Sequence, residues 1–481
     1  MNKFVIVPKQ LGPNDRDGSI VRAFIMTENA FFCSLSRSVL DRESLMKTRA
    51  QLIFILTVWG IAALGCSVTE DKISLWKTTR KGPQKIADVI SDDAISNDLR
   101  SAATLALIEI KQHALLNTAF ESLSAEDADA LVSATIPKLA VLIRGGSEDA
   151  GTLTSTQISA INGAYLLYSF AGPQSRQPVE KELISWCTEG DFRLRERAGF
   201  NIRVIINKVG SPAYMALIKR LRIDEPAIEK IAQIIMESED ATILSKASVE
   251  IVTELKNKPE KIAGTHLKAA GIIGGSAVAD FLVSLVSDSG QSAQLRDFAL
   301  LVYSTALENK KLNATNAHAV HLVAVAEDAA QDKKIRENIY LTLAQMTFPA
   351  ATDSLTRLLV SDDFFWRMVG ARCLFRQSGD KQLLTVLQTK KIATDSQEIS
   401  ELVSMIARFP KLKIALISTL AGTDNFSVGI AVAALGILGN AKDIPHLEKI
   451  KGNRGRLPAG FSAKTVGAAA SDAILAIEKK G

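Results

Sequence analysis

Apolar residues recur with helical spacing, every three or four positions, from about residue 85 to the end of the chain. They form blocks of roughly 10 to 18 residues that end at short polar or Gly/Pro turns. The alternation of apolar and polar residues that is typical of half-buried strands is absent from this pattern. The pattern therefore predicts an all-α chain with many short helices.

The helical blocks are related to one another, and residues 424–447 hold the clearest copy. A short helix ends in Ala434-Leu-Gly436-Ile-Leu-Gly439, and a turn leads to a second helix that begins near Pro445. Gly439 is suited to end the first helix. Pro445 suits a first helical turn, where its missing N–H has no partner in any case. The repeated unit is therefore predicted to be a helical hairpin.

Weaker copies share an aliphatic or aromatic residue followed by arginine. The arginines are Arg100, Arg195, Arg296, Arg336 and Arg367, and Val428 fills the same position in the clearest copy. Their spacings of 95, 101, 40, 31 and 61 residues are near multiples of a unit of roughly 30 to 40 residues. Degenerate copies begin at His266 and Val466. Because a lone hairpin cannot bury its apolar face, stacked neighbours are expected to share one continuous core.

Aspartates often stand four residues before these arginines, and we interpret both residue types as structural rather than catalytic. Exposed pairs with i, i+4 spacing in this order stabilise a helix by a few tenths of a kcal/mol. The predicted pairs are Asp191 with Arg195, Asp332 with Arg336, and Asp363 with Arg367.

On their Ala-Leu-Gly-x-Leu-Gly ending and Pro-initiated second helix, these blocks resemble the bacterial HEAT-like repeat first named for phycobilisome lyases. The resemblance implies a right-handed α-solenoid over residues 85–481, in which polar positions commonly bond between adjacent repeats. Residues 111–180 fit the repeat less well, because glycine-rich stretches at 145–151 and 172–175 interrupt them. That part is either a set of irregular repeats with a long loop or a small inserted helical subdomain.

The segment 46–65 has the layout of an export signal. Lys47 and Arg49 precede fourteen uncharged, mostly apolar residues at 52–65, and small residues stand just before Cys66. A helix that spans a bilayer needs about 20 apolar residues, so this run suits a removable signal better than a permanent span.

The end of this segment, Ala63-Leu-Gly65-Cys66, resembles the lipobox of bacterial lipoproteins, although Ala63 stands where leucine is commonest. The resemblance implies cleavage before Cys66 and lipid modification of its thiol. Ser67, rather than an aspartate, implies sorting to the outer membrane. The alternative is an uncut signal anchor in which Cys66 stays unmodified.

Residues on either side of the signal carry weaker patterns. Residues 1–45 show no sustained period and are interpreted as an upstream extension ahead of an initiator at Met46, or alternatively as a cytoplasmic arm. Residues 66–84 are interpreted as a tether. Its basic stretch, which runs from Trp76 to Lys85, either meets anionic lipid head groups or stays solvated.

Composition gives little support to nucleic-acid binding, a disulfide framework or a zinc site. The formal net charge is only +5, part of which is removed with the signal. Of four cysteines, Cys187 and Cys373 remain in the helical body, far apart and outside any CxxC pair. Both are predicted to be buried free thiols.

Catalytic motifs are missing from the sequence. His318 and His321 share a helical face but have no HExxH pattern or neighbouring ligands, and GxSxG and Walker motifs are absent. We therefore expect no enzyme activity, cofactor, metal or small-molecule substrate. A lyase-like role in handling a chromophore is suggested only by the repeat family's name.

A Gly-rich basic segment at 449–464 lies between the last two repeats. Its cations Lys451, Arg454, Arg456 and Lys464 form a candidate anion-binding loop. The alternative is a flexible surface loop.

These features together predict a non-enzymatic lipoprotein of the bacterial envelope that faces the periplasm. Its solenoid is expected to bind a protein partner along the concave face, because solenoids offer extended surfaces. The alternative is a signal-anchored inner-membrane or cytoplasmic adaptor with no lipid on Cys66.

Overall fold

A computed structural model describes residues 68–145, 153–197, 202–389 and 392–480. The chain divides into two compact units, Met1–Ile73 and Ser74–Gly481. Only residues 68–73 of the first unit are described. The predicted extension 1–45, the export signal 46–65 and Cys66 lie outside the described residues.

The described residues form α-helices joined by short turns and 3-10 helices, and they contain no β-strand. The first helices are α1 (Glu70–Trp76), α2 (Gly82–Ser91), α3 (Asn97–Glu109), α4 (His113–Glu121), α5 (Ala125–Arg144), α6 (Ser155–Leu167), α7 (Arg176–Thr188), α8 (Phe192–Arg197), α9 (Ile202–Val209), α10 (Ser211–Ile218), α11 (Ile228–Ile235) and α12 (Ala241–Asn257). There follow α13 (Gly264–Ile273), α14 (Ser276–Ser287), α15 (Ala293–Glu308), α16 (Asn316–Glu327), α17 (Lys333–Leu343), α18 (Pro349–Leu358), α19 (Phe364–Ser378), α20 (Leu383–Gln388), α21 (Ser396–Ala407), α22 (Lys413–Thr419), α23 (Asn425–Leu438), α24 (Ile444–Glu448) and α25 (Val466–Glu478). The predicted all-α class is confirmed.

The helices of the second unit stack in two layers. In the first layer α11, α13, α15, α17, α19, α21, α23 and α25 follow one another, each packed against the next. In the second layer α12, α14, α16 and α18 do the same. Each of these four also packs against the helix that follows it in the chain. The unit is therefore an α-solenoid of helical hairpins, as predicted; its handedness stays a prediction.

The core follows the contacts between layers and between repeats. In α23 nine of fourteen residues are buried, because α21, α22 and α25 all pack against it. Gly436 permits a close approach of α25, since a Cβ there would lie 3.2 Å from Ala473. Gly439 ends α23 and Pro445 lies in the first turn of α24, as the sequence predicts.

The recurrent arginines occupy one position in the fold: each is the fourth residue of its helix, in α3, α8, α15, α17 and α19, and Val428 is the fourth residue of α23. The sequence period therefore marks helix starts. Arg100, Arg296 and Arg367 are buried, which is unusual for a charged side chain without partners.

Four of these arginines bind the end of the preceding helix. The Nε atoms of Arg100, Arg296 and Arg336 donate to the carbonyl ten residues earlier, at 2.9, 2.8 and 2.7 Å. Arg195 donates from Nη1 to two carbonyls in the last turn of α7. Carbonyls at a helix C-terminus lack partners inside the helix, so each of these four arginines caps the helix before its own. Arg367 differs, because it donates to the carbonyls of Ser361 and Asp362 in the turn before α19 and to that of Ile392.

The predicted ion pairs of Asp332 with Arg336 and of Asp363 with Arg367 are wrong. Each aspartate is the residue just before its helix, and its carboxylate accepts backbone N–H groups of the first turn. Within the described residues no ion pair joins either aspartate to its arginine. Asp191 likewise accepts the Arg193 N–H. The aspartates are helix N-caps.

Polar side chains also join adjacent repeats. Arg100 makes a two-pronged contact with Asp127 of α5, at 2.8 and 2.7 Å, and this hydrogen bonding holds the pKa of the Asp127 carboxyl below its usual range. Arg367 reaches Glu398 of α21 at 2.8 Å. Such contacts fix the spacing of the stack.

The described part of the N-terminal region consists of helices joined by short turns. The predicted tether 66–84 contains α1 and the start of α2. Lys77 pairs with Glu109 at 2.7 Å, and the Lys85 ammonium lies 5.6 Å from the Trp76 ring centroid. In the segment 111–180 helices α4, α5 and α6 continue the packing, and much of the predicted long loop lies outside the described residues.

No helix among the described residues is both long enough and apolar enough to cross a bilayer.

Candidate functional site

One depression on the described surface is an apolar groove across three consecutive helices of the first layer. Met236 follows α11, Ile272 lies on α13, and Phe298, Leu301 and Val302 lie on α15. The groove encloses about 630 Å³ and is open to solvent along its length. Glu229, Gln233, Lys268, Asn309 and Lys311 stand along its rim. We call it the α11–α15 groove.

Glycines set the shape of this groove. Gly271 of α13 lets α15 approach, since a Cβ there would lie 2.5 Å from Val302 Cγ1. Gly274 and Gly275 follow α13 with φ of +69° and +87°, a backbone region that favours glycine. The Gly275 N–H donates to the Lys311 carbonyl at 3.1 Å, which fixes the backbone of a rim lysine.

Other surface depressions of similar size have polar linings. One of about 510 Å³ includes Arg193, Glu196, Asp224 and Lys230. Another of about 570 Å³ lies along α7 and includes Arg144 and Glu180 among its charged residues. The α11–α15 groove therefore stands out by its chemistry rather than by its volume.

The basic loop makes backbone and ring contacts in the structure. Arg456 and Thr465 form an isolated antiparallel bridge, and the Leu457 N–H donates to the Lys464 carbonyl at 3.1 Å. The Phe461 ring lies edge to face with Phe426 of α23, 5.8 Å between centroids. The two segments of the loop therefore pair with each other, and one of its rings packs against α23.

The four predicted anion-binding side chains are all exposed on this loop. Lys451, Arg454, Arg456 and Lys464 form no ion pair with a carboxylate of the described residues. Arg456 is paired with Thr465 in the bridge, and Lys464 is the residue before Thr465, so the two cations belong to the two paired segments. They are available to a negatively charged ligand.

His318 is already engaged inside the protein. Its Nδ1 accepts the Thr315 N–H at 3.2 Å and lies 3.2 Å from the Tyr303 hydroxyl. The proton of the neutral ring therefore lies on Nε2, which donates to Asp280 at 2.7 Å. His318 is buried whereas His321 is exposed, so the two rings do not form a shared site.

Cys187 and Cys373 are buried free thiols, as predicted. Burial raises the pKa of the Cys187 thiol far above its ordinary value and that of Cys373 to about 12. Since the thiolate is the reactive species, both are unsuited to nucleophilic chemistry. Cys66, the predicted lipidation residue, lies outside the described residues.

The groove was missed by sequence reasoning. Its signal is on α15, where Phe298 and Leu301 follow i and i+3 spacing and extend the apolar surface beyond the buried Val302. No protein family model matches the chain, and no curated protein is significantly similar to it.

Proposed function

We propose that this chain is a lipid-anchored, non-enzymatic scaffold of the bacterial envelope, built from HEAT-like repeats, which binds a protein partner through its helical surface. The observation that carries the binding half of the proposal is the open α11–α15 groove. An open apolar groove on stacked helices suits a protein ligand, because it offers an extended contact surface.

The side chains best suited to chemistry support a non-enzymatic role. Cys187 and Cys373 are buried with raised thiol pKa values, and the ring of His318 is hydrogen-bonded on both nitrogens. Each of these groups has a structural use.

The envelope address rests on the sequence of residues 46–67. A short apolar run behind basic residues, ending at Gly65-Cys66, supports export and acylation of the cysteine. Acylation with more than one chain would hold the protein firmly at a membrane without a spanning helix. Ser67 supports the outer membrane as its destination.

The basic loop supports contact with an anionic ligand as part of this function. Its four cations are exposed, and backbone and ring contacts hold the loop that carries them. No small-molecule substrate, cofactor or nucleic acid is included in the proposal.

Metabolic labelling with a fatty acid tests the anchored function. We expect label on the wild-type chain and none on Cys66→Ala, while the control variant Cys187→Ala, at a cysteine that remains after cleavage, keeps the label. Mass analysis of the native N-terminus should show cleavage before Cys66. Label on both Cys66 forms, or on neither, contradicts lipidation; an uncut, unlabelled chain would instead support the signal-anchored adaptor.

A further inference from the structure

Polar side-chain contacts between consecutive first-layer helices are missing where the α11–α15 groove lies. On either side of the α11–α15 groove, ion pairs bridge neighbouring repeats. They join Arg203 to Glu237, Lys230 to Glu196, Lys334 to Asp297, and Arg372 to Glu337. Within the described residues, no ion pair or side-chain hydrogen bond joins α11 to α13 or α13 to α15. The helices that form the groove therefore meet without a polar side-chain contact between them.

Apolar side chains take the place of those polar contacts. Leu301 is 59% exposed, and Phe298, Ile272 and Met236 are half-buried around it. A ligand that covers this apolar surface gains about 25 cal/mol of hydrophobic free energy for each Å² that it removes from water. A contiguous patch of this kind marks a site of interaction.

The shape of the groove favours a helix over a lipid chain. Its floor, α13, has ten residues, which corresponds to about 15 Å of helix length. A partner helix of three turns covers that length with anchors at i, i+3 or i+4, and i+7. An acyl chain has no polar side to leave in water, and it requires enclosure that this open groove does not supply.

The charged side chains of the groove indicate the sign of the charge that the partner should carry. Lys268 and Lys311 are exposed, and neither has an ion pair or side-chain hydrogen bond with the described part of the chain. Glu229 is the carboxylate of the lining, which leaves an excess of positive charge. Acidic residues beside the apolar face of a partner would complement it.

We propose that the α11–α15 groove binds an amphipathic helix of a partner protein, whose apolar face covers Leu301 and Phe298 and whose acidic residues meet Lys268 and Lys311. This deepens the proposed function and rests on its protein-binding half. The anchor at Cys66 plays no part in the contact.

Selection of displayed peptides on the purified full chain in detergent tests this inference. The probe is a library of three-turn helical peptides with randomised apolar, acidic and basic positions. We expect enriched peptides to share apolar residues at i, i+3 or i+4, and i+7, flanked by Asp or Glu. Enrichment without helical spacing, or with basic flanks, overturns the proposal.

Variants of the groove locate the binding site. Leu301→Asp should weaken binding of an enriched peptide at least tenfold, whereas Val249→Asp, at a residue 55% exposed on α12, should change it less than twofold. The double variant Lys268→Glu and Lys311→Glu should lose the acidic peptide and gain a peptide whose acidic positions are replaced by lysine. This exchange guards against misfolding, because a misfolded chain would bind neither peptide.

Other occupants give distinct results, each of which overturns the inference. A fluorescent fatty acid that competes with the peptide at the groove would identify a lipid site. Self-association of the purified chain that Leu301→Asp abolishes would identify a second copy of the chain. A chain that is labelled at Cys66 yet enriches no peptide overturns the groove inference alone, whereas peptide binding by an unlabelled chain overturns only the anchor.

Discussion

At the scale of single residues, Asp129 of α5 shows how one carboxylate orders a turn. It accepts the N–H groups of Gly172, Gln174 and Ser175, each at 3.0 Å, and also the Ser175 hydroxyl. Burial opposes ionisation, but these hydrogen bonds outweigh it and hold the pKa of Asp129 below its ordinary value. The turn before α7 therefore depends on a charged carboxylate.

Asp129→Asn tests this dependence. Hydrogen bonds to a charged group are worth about 1.5–3 kcal/mol, so we expect the free energy of unfolding at pH 7 to fall by about 2 kcal/mol. A folded pKa below the unfolded one stabilises the protein above about pH 4, and that stability is lost as pH falls through the folded pKa. The gap between wild type and variant in urea unfolding should therefore narrow below pH 4. An equal gap at pH 7 and pH 3, or an effect as small as that of exposed Asp472→Asn, would contradict this assignment.

Residue roles differ in how far the sequence predicts them. The burial of Cys187 and Cys373 follows from local helical spacing, because both lie within apolar stripes. The role of Asp129 does not, since its partners lie 43 to 46 residues away in the chain. The glycine at position 172 is explained by the same distant contact, because a Cβ there would lie 2.6 Å from the Asp129 carboxylate.

At the scale of helices, substitution of the recurrent arginines tests whether they cap the preceding helix. Arg100→Met removes a bond to the Ile90 carbonyl and leaves Asp127 without its two-pronged partner, so we expect a loss of about 2–3 kcal/mol in the free energy of unfolding. Arg336→Met loses one capping bond to Ala326 and should have a smaller effect, about 1 kcal/mol.

Urea unfolding and hydrogen exchange measure both effects. The exposed Arg80→Met serves as the matched control and should change stability by less than about 0.5 kcal/mol. Exchange should quicken first at the C-terminus of α2 in Arg100→Met and of α16 in Arg336→Met. Equal losses in all three variants would show that the arginines do not act as caps.

The sequence located these elements but assigned a wrong contact. Its arginine period marks the fourth residue of each helix, because the repeat forces one register. It paired Asp332 with Arg336 because side chains four residues apart lie on the same face of a helix. The aspartate instead lies outside the helix, where its carboxylate binds amide N–H groups, and the arginine reaches the helix before.

At the scale of the whole molecule, the stacking of repeats brings together residues whose proximity the sequence does not predict. The α11–α15 groove draws its walls from Met236, Ile272 and Leu301, which belong to three repeats. Helical periodicity predicts that each repeat has a buried face, yet it does not tell which outward residues of neighbouring helices come together. The solenoid followed from the pattern, whereas its binding surface needed the packing.

The same stacking predicts how damage spreads along the array. Ala473 of α25 is 5% exposed and packs against Gly436 of α23, so Ala473→Glu forces a charge into that contact. Because each repeat touches only its neighbours, the loss should stay local. We expect amide exchange in α23 and α25 to quicken about 30-fold or more, the equivalent of 2 kcal/mol, while α11 to α17 change less than about twofold. Leu475→Ala, at a residue 54% exposed on the same helix, should leave exchange unchanged. Uniform loss of protection from α11 to α25 would show instead that the solenoid unfolds as a single cooperative unit.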